Sequence, residues 1–400
     1  MPFLASRLDR IKPSATIAIA QKARELKAAG KNILALSVGE PDFDTPANIR
    51  EAAIQAIRDG QTRYTPVNGI LPLREAIVAK FHRDNGLDYT PEEITVGCGG
   101  KQIIFNALTA TLEAGDEVIV PAPYWVSYAD ITLVNGGEPV VVSCRPEDGF
   151  RLRAEDLEAA ITPRTKWLIM NSPSNPSGAA YSHDDMKQLT DVLVRHPHVW
   201  VLTDDIYEHL VYDDFEFVTP AQVEPELMSR TLTLNGMSKA YCMTGWRVGY
   251  AGAPRELIKA INMLTSQSTT HTCSVSQVAA VEGLNGPQNF IAENNKAFKE
   301  RRDFVVRRLN EIPGLNCNVP EGAFYVFPHC AELLGRKTSD GRLVDTEEAL
   351  VEYLLDTAEV AVVPGAAFGT SPHFRVSYAA SMDTLETAMD RIDEACSGLR

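Results

Sequence analysis

Four hundred residues, 44% hydrophobic and 23% charged, describe a globular chain long enough for two lobes with separate cores. A formal charge of -15 and a pI near 5.1 argue against a nucleic-acid partner, which requires a basic face, and no stretch approaches the ~18 apolar residues of a membrane helix. The seven cysteines are scattered and lack any C-x-x-C pair, which argues against disulfides and structural zinc; with no apolar leader at the N-terminus, a cytoplasmic location is expected.

In chain order, residues 33–37 read as a short strand, and Thr45-Pro46 reads as a cap and first-turn proline opening a helix through Ile49, Ala53 and Ile57. Seven β-rich runs follow, at 94–96, 117–120, 139–143, 167–170, 199–202, 231–234 and 248–251. Helical periodicity lies between them at 101–112, 154–161 and 184–195. Such alternation predicts an α/β large domain, 46–290, around a mostly parallel seven-stranded sheet. After residue 290 the pattern changes to a long amphipathic helix at 290–312, then 323–327, a helix at 346–357, strands at 360–363 and 374–378, and a last helix to Gly398. That predicts a smaller α+β domain, 291–400, to which residues 1–45 contribute an arm and the 33–37 strand.

The turns after the strands carry the chemistry-bearing residues. After 94–96, Gly97-Cys98-Gly99-Gly100-Lys101-Gln102 joins strand to helix, aiming free N–H groups and a positive helix end at an anion, or else packing as a tight turn. It fits neither the Walker A nor the dinucleotide spacing, so ATP and NAD are poor guesses. Trp125 could stack on a flat ring or serve the core. Asn175 sits in a rigid Asn/Pro/Ser loop, where its amide could donate to an oxygen or simply make a turn. Asp204 and Tyr207 follow 199–202 at an edge where α/β ligands bind; Asp204 there either faces a cation or caps a helix. Lys239, eight residues before Arg247, follows an apolar strand, where burial disfavours the ammonium. The two read as an imine-forming lysine beside a phosphate-binding arginine, or as a surface lysine and a structural arginine. Arg375 lies inside an apolar strand pattern and needs a carboxylate partner, and Gly39 ends a strand in a turn suited to presenting backbone to a ligand.

In this order the segments resemble the fold-type I pyridoxal-phosphate aminotransferases from about Arg10 to the C-terminus, and within them bacterial aspartate aminotransferases that often also accept prephenate. The resemblance implies pyridoxal 5′-phosphate linked to Lys239, which also moves the proton between Cα and C4′. It implies a phosphate held by Arg247, Ser238, the backbone around Gly100, Lys101 and Gln102, and Tyr64 from a second subunit, hence a homodimer. Asp204 would pair with the ring nitrogen, Tyr207 and Asn175 would contact the phenolic oxygen, and Trp125 would stack on the ring. Arg375, with Asn175 and the Gly39 backbone, would bind the substrate α-carboxylate. The expected substrates are amino and 2-oxo acids, aspartate and 2-oxoglutarate foremost, then prephenate.

Two departures stand out. Gly236 occupies the place where some relatives have a serine, and no Lys or Arg occurs between Ala260 and Asn295 to read a side-chain carboxylate. Lys101 and Lys12, the latter with Ser14 and Thr16 nearby, are the candidates for that reading. Rival readings are aminotransferases for aromatic or other amino acids, a cofactor-binding module without turnover, and a serine hydrolase using Ser238, Asp345 and His373.

Overall fold

The computed structural model describes residues 3–13 and 15–400, the Ala15 side chain excepted; Ser14 lies outside the described residues. A short strand β1 (Leu34–Ala35) precedes the large sheet. That sheet comprises β2 (Ile94–Cys98), β3 (Glu117–Ala122), β4 (Glu138–Ser143), β5 (Thr165–Asn171), β6 (Trp200–Asp204), β7 (Thr231–Gly236) and β8 (Val248–Gly252), in the spatial order β2-β8-β7-β6-β5-β3-β4. Strand β8 runs against its neighbours β2 and β7, and the other adjacent pairs are parallel. All seven expected strands are present; six are extended by one to three residues, and 199–202 shifts to 200–204.

The strands were legible because both faces of the sheet are covered, which calls for near-continuous apolar runs. Ile103, Ile104 and Leu108 of the helix Gly100–Thr111 pack with Leu257, Ile258 and Ile261 of the helix Arg255–Ser268 over one face. Leu157, Met186, Leu189 and Leu193 cover Leu168, Met170 and Val201 on the other. Each such side chain, fully buried, contributes about 1.5–3 kcal/mol. The carboxyl ends of β2, β5, β6 and β7 therefore open on one edge of a rigid slab, and the turns leaving them carry Gly99, Asn175, Tyr207 and Lys239.

Thr45 does not cap the following helix, Ala47–Arg58, whose cap position is Pro46. Its hydroxyl instead donates to the Cys242 carbonyl at 2.6 Å and accepts from Trp246 Nε1 at 3.0 Å, tying the arm to the Lys239–Arg247 segment. The buried face of that helix is Ile49, Ala53 and Ala56, while Ile57 points out.

Beyond the helix Asn289–Glu311 lie β9 (Tyr325–Val326), the hairpin β10 (Arg336–Lys337) and β11 (Leu343–Val344), then β12 (Val360–Ala361), β13 (Val363–Pro364) and β14 (Phe374–Ser377). The expected 360–363 strand is divided: β12 pairs in parallel with β1, whereas β13 turns to β14 in an antiparallel sheet of order β13-β14-β9. The 323–327 run shortens to β9 because Ala323 adopts a positive φ of 58°. The 346–357 helix is α-helical over Glu347–Tyr353, capped by Thr346, and loosens into a π turn at Leu354–Ala358. Among the described residues no helix is long and apolar enough to cross a membrane.

Strand β8 approaches the glycine turn so closely that a Cβ on Gly249 would fall 2.3 Å from Gly100 N and 2.5 Å from Gly99 C, backbone atoms that cannot rotate away. Gly249→Ala is expected to destabilise the protein by about 1–3 kcal/mol, read as a lower urea midpoint; an unchanged midpoint would mean the turn yields freely.

Candidate active site

A cavity of about 580 Å³ opens at this edge of the sheet. Lys239 enters it three residues beyond β7, with its Nζ donating to the Gly39 carbonyl at 2.6 Å and lying 5.7 Å from the ring centroids of Tyr207 and Phe324. Burial, then the nearby Arg375 charge, pulls the amine down to about 8, against the opposing pull of Glu40 and Asp204. At neutral pH about a tenth of it is neutral, several hundred times more than for a free lysine.

Asp204 ends β6 and lies almost wholly inside the protein. Tyr128 donates its hydroxyl to Asp204 Oδ2 at 2.7 Å, and the Asn171 amide donates to the Asp204 carbonyl at 2.7 Å. Burial pushes the carboxyl up to about 6 despite the Tyr128 and Ile206 hydrogen bonds and the Lys239 charge. A carboxylate so desolvated favours a cation placed against it. The same Asn171 accepts from Asn175 N at 2.8 Å, which orients Asn175 toward Arg375.

At the glycine turn, Gly99 has a φ of 78° and precedes the helix Gly100–Thr111, whose first N–H groups have no intrahelical acceptor. A Cβ on Gly99 would lie 2.4 Å from Arg247 Nη2, so any side chain there, already strained by the positive φ, would displace the guanidinium from its place over the helix start. Arg247 is held there by donating to the Thr244 carbonyl at 3.0 Å and the Cys98 carbonyl at 3.4 Å. Gly100, Lys101, Ser238 and Trp125 line the same region, with Lys101 Nζ 4.6 Å from the Trp125 ring centroid. Together, the positive helix end, a guanidinium and a serine hydroxyl make a site for a dianion.

Arg375, in the middle of β14, is 3% exposed. Its Nη1 donates to Asn175 Oδ1 at 2.8 Å and its Nη2 to the Ser37 carbonyl at 2.6 Å, while Nε has no partner. The guanidinium stacks over Tyr325 and Phe368, and the Tyr207 and Tyr325 hydroxyls meet at 2.9 Å. Gly39 is required opposite them, because a Cβ there would fall 2.3 Å from the Tyr325 hydroxyl oxygen. A cation buried with neutral partners and a donor to spare is prepared for an external carboxylate.

Two expected site residues, Gln102 and Lys12, do not line this cavity, and Tyr64, expected to serve a second subunit, lies outside it as well. Gln102 turns back: its Oε1 accepts from Cys98 N at 2.6 Å and its backbone N–H donates to the Gly99 carbonyl, so it braces the turn. The Lys12 charge offsets part of the rise that burial gives the Asp130 carboxyl. Tyr64 is 89% exposed, edge-on to His271. The hydrolase arrangement fails as well. His373 is stacked on Phe327 at 4.9 Å, its two nitrogens have no partner, and burial pulls it to about 4, so it receives no proton from Ser238. Sequence reasoning missed Tyr128 and Tyr325, aromatics with no local signal that their hydroxyls meet Asp204 and Tyr207.

The chain belongs to the class I and II aminotransferases, whose family pattern matches residues 31–392. Enzymes of this family depend on pyridoxal phosphate, and the fold is that of fold-type I. The chain is 59% identical over 400 residues, all of both proteins, to the probable aspartate/prephenate aminotransferase of Rhizobium leguminosarum bv. phaseoli. It is 58% identical over 399 residues, again the whole of both, to the aspartate/prephenate aminotransferase of Cereibacter sphaeroides. The crystal structure of an aspartate aminotransferase from Rhizobium meliloti superposes with a TM-score of 0.97 at 55% identity, covering 100% of each chain. That of the Thermus thermophilus aspartate aminotransferase with maleate gives 0.92 at 43% identity, covering 99% of this chain and 100% of the other.

In the cofactor-free protein, modification of Lys239 by an amine-directed reagent should be half-maximal near pH 8. Arg375→Gln removes a repelling charge and should move that midpoint upward. A wild-type midpoint near the ordinary lysine value of 10.5 would contradict the electrostatic reading.

Proposed function

We propose that this protein binds pyridoxal 5′-phosphate at Lys239 and transfers amino groups reversibly between L-aspartate and 2-oxoglutarate, accepting prephenate as a bulkier dicarboxylic substrate. The observation that carries the reading is one cavity in which an amine whose pKa is drawn down to about 8 lies among two guanidiniums and a buried carboxyl, Arg247, Arg375 and Asp204. That donor set fits the cofactor: Arg247, Ser238 and the Gly100–Lys101 helix start for the phosphate, Asp204 for the protonated ring nitrogen, Trp125 for the ring face, and Tyr207 with Asn175 for the phenolic oxygen. The Gly99 backbone, open only because no Cβ stands there, gives the phosphate end its shape.

When bound, pyridoxal phosphate supplies an electron sink for the bonding pair released at the substrate Cα. Arg375 grips the α-carboxylate through its fork and fixes which Cα bond faces Lys239. Lys239, poised by burial near the working pH, takes the proton from Cα and returns it at C4′. Asp204 keeps the ring nitrogen protonated, and Tyr128 keeps Asp204 aimed at it. Lys101, seated on Trp125, reads the second carboxylate of aspartate. The names of the relatives support the substrate assignment.

We read the chain as an arm with part of a small domain (1–45), a cofactor domain (46–290) and a small domain (291–400), supported by the pairing of β1 with β12. A homodimer is supported by Tyr64, exposed and outside its own cavity, where it could serve a partner's. A cytoplasmic location is supported by seven free cysteines.

Assayed with 2-oxoglutarate, aspartate should exceed phenylalanine in kcat/KM by at least about tenfold, and glutamate should aminate prephenate; a preference for phenylalanine would overturn the dicarboxylic assignment. Arg375→Ala should keep the bound chromophore yet weaken amino-acid binding about 10- to 100-fold. Unaltered affinity in a spectral titration would remove Arg375 from its role.

A further inference from the structure

Resting on the dicarboxylic reading above, we propose that Arg24 reads the far carboxylate of substrates too long for Lys101, namely dicarboxylic amino and 2-oxo acids with a ring or other bulky body between their carboxylates. Arg24 lies on the helix Ala15–Ala28. Thr16, Ile17, Ala20 and Arg24 recur at the spacing of one helical face, and all four line the cavity. The N-terminal helix thus forms a wall of the cavity, separate from the wall that carries Lys101.

The other cavity cations already have places in the reading above: Lys239 for the imine, Arg247 for the phosphate, Arg375 for the α-carboxylate and Lys101 for the second carboxylate of aspartate. Lys239 donates to Gly39, Arg247 to Thr244 and Cys98, Arg375 to Asn175 and Ser37, and Lys101 covers Trp125. Arg24 is different. Its Nη2 donates to the Gln21 amide oxygen at 2.8 Å, and Gln21 in turn donates to Glu25 at 2.7 Å. A neutral amide therefore stands between Arg24 and the nearest acid of its own helix, and among the described residues no carboxylate forms an ion pair with it. Glu40, which also lines the cavity but lies outside this helix, accepts from the Thr244 hydroxyl and forms no ion pair with Arg24 among the described residues. Arg24 retains unused donors toward the cavity.

Beside it, Ile17 is 63% exposed while facing the cavity. An apolar side chain followed along the face by a small one and then a guanidinium matches a ligand with an apolar body ending in a carboxylate. Aspartate has no such body. Lys12, the cation of the N-terminal arm ahead of this helix, does not line the cavity, and its charge acts on Asp130.

The test uses holoenzyme and two non-reacting acids of one shape, 3-phenylpropanoate and 3-(4-carboxyphenyl)propanoate, titrated by the change in bound-cofactor absorbance. Wild type should favour the dicarboxylate. Arg24→Gln should cut that preference about five- to tenfold, Arg24→Lys should recover part of it, and Lys12→Gln should preserve it. Equal binding of the two acids by wild type, an unchanged ratio in Arg24→Gln, or loss in Lys12→Gln instead would overturn the proposal. Absence of aspartate or prephenate turnover would sink the functional reading while leaving this binding ratio readable.

Discussion

Placing the Lys239 ammonium in a low-dielectric cavity beside Arg375 makes its charged form costly, and much of the surrounding structure answers that cost. The Gly39 carbonyl accepts from the amine, and Asp204 and Glu40 supply the opposing field. The balance leaves an amine that is nucleophilic near neutral pH without being a stranded charge. Asp204 is the counterpart: burial raises it toward neutrality, so it is the group most responsive to a cation at its face. A lysine pulled down and a carboxyl pushed up in one cavity complement a ligand that is electrophilic at one atom and basic at another.

The sheet fixes these groups in space. Asn171 and Asp204 are register partners on β5 and β6, so the hydrogen bond that Asn171 donates to Asp204 crosses the strand ends, while Asn175 N donates to Asn171 Oδ1 within the turn. Gly249 pairs with Gly97 on one side and Gly236 on the other. Glycines at that crossing let β8 lie against the turn that begins the helix Gly100–Thr111, which brings Arg247 over Gly99. The α-carboxylate end is built from the other lobe: Arg375 on β14 reaches Ser37 and Asn175, so it joins the N-terminal segment, the small sheet and the large sheet at one guanidinium.

The strand ends were readable from the sequence because a sheet covered on both faces must be apolar along its length, and polar residues just past such runs stand out. Lys239, Asp204 and Asn175 were visible on that ground, Arg247 by its spacing from Lys239 and Arg375 as a lone cation inside an apolar strand, and the structure brings all five to one cavity. Gln102 was not separable from its neighbours, because a helix start exposes N–H groups whatever the side chain does, and here it turned back to Cys98 N. Tyr128 looked like any core aromatic, since nothing local shows that its hydroxyl meets Asp204. Arg24 carried no signal in the sequence; its place on the cavity depends on the path of the arm, which no periodicity encodes. The divided 360–363 run shows the same limit, because β1 and β14 compete for one apolar segment and only the tertiary arrangement decides between them.

The central claim is a covalent bond between Lys239 and the cofactor aldehyde. Reduction of the purified protein, saturated with pyridoxal phosphate, by borohydride followed by peptide mapping tests it directly. The account predicts a stable pyridoxyl adduct on the peptide containing Lys239 and loss of the absorbance above 400 nm, roughly where an imine-linked cofactor absorbs. A protein that stays colourless, or an adduct at Lys101 or another lysine in place of Lys239, would contradict it.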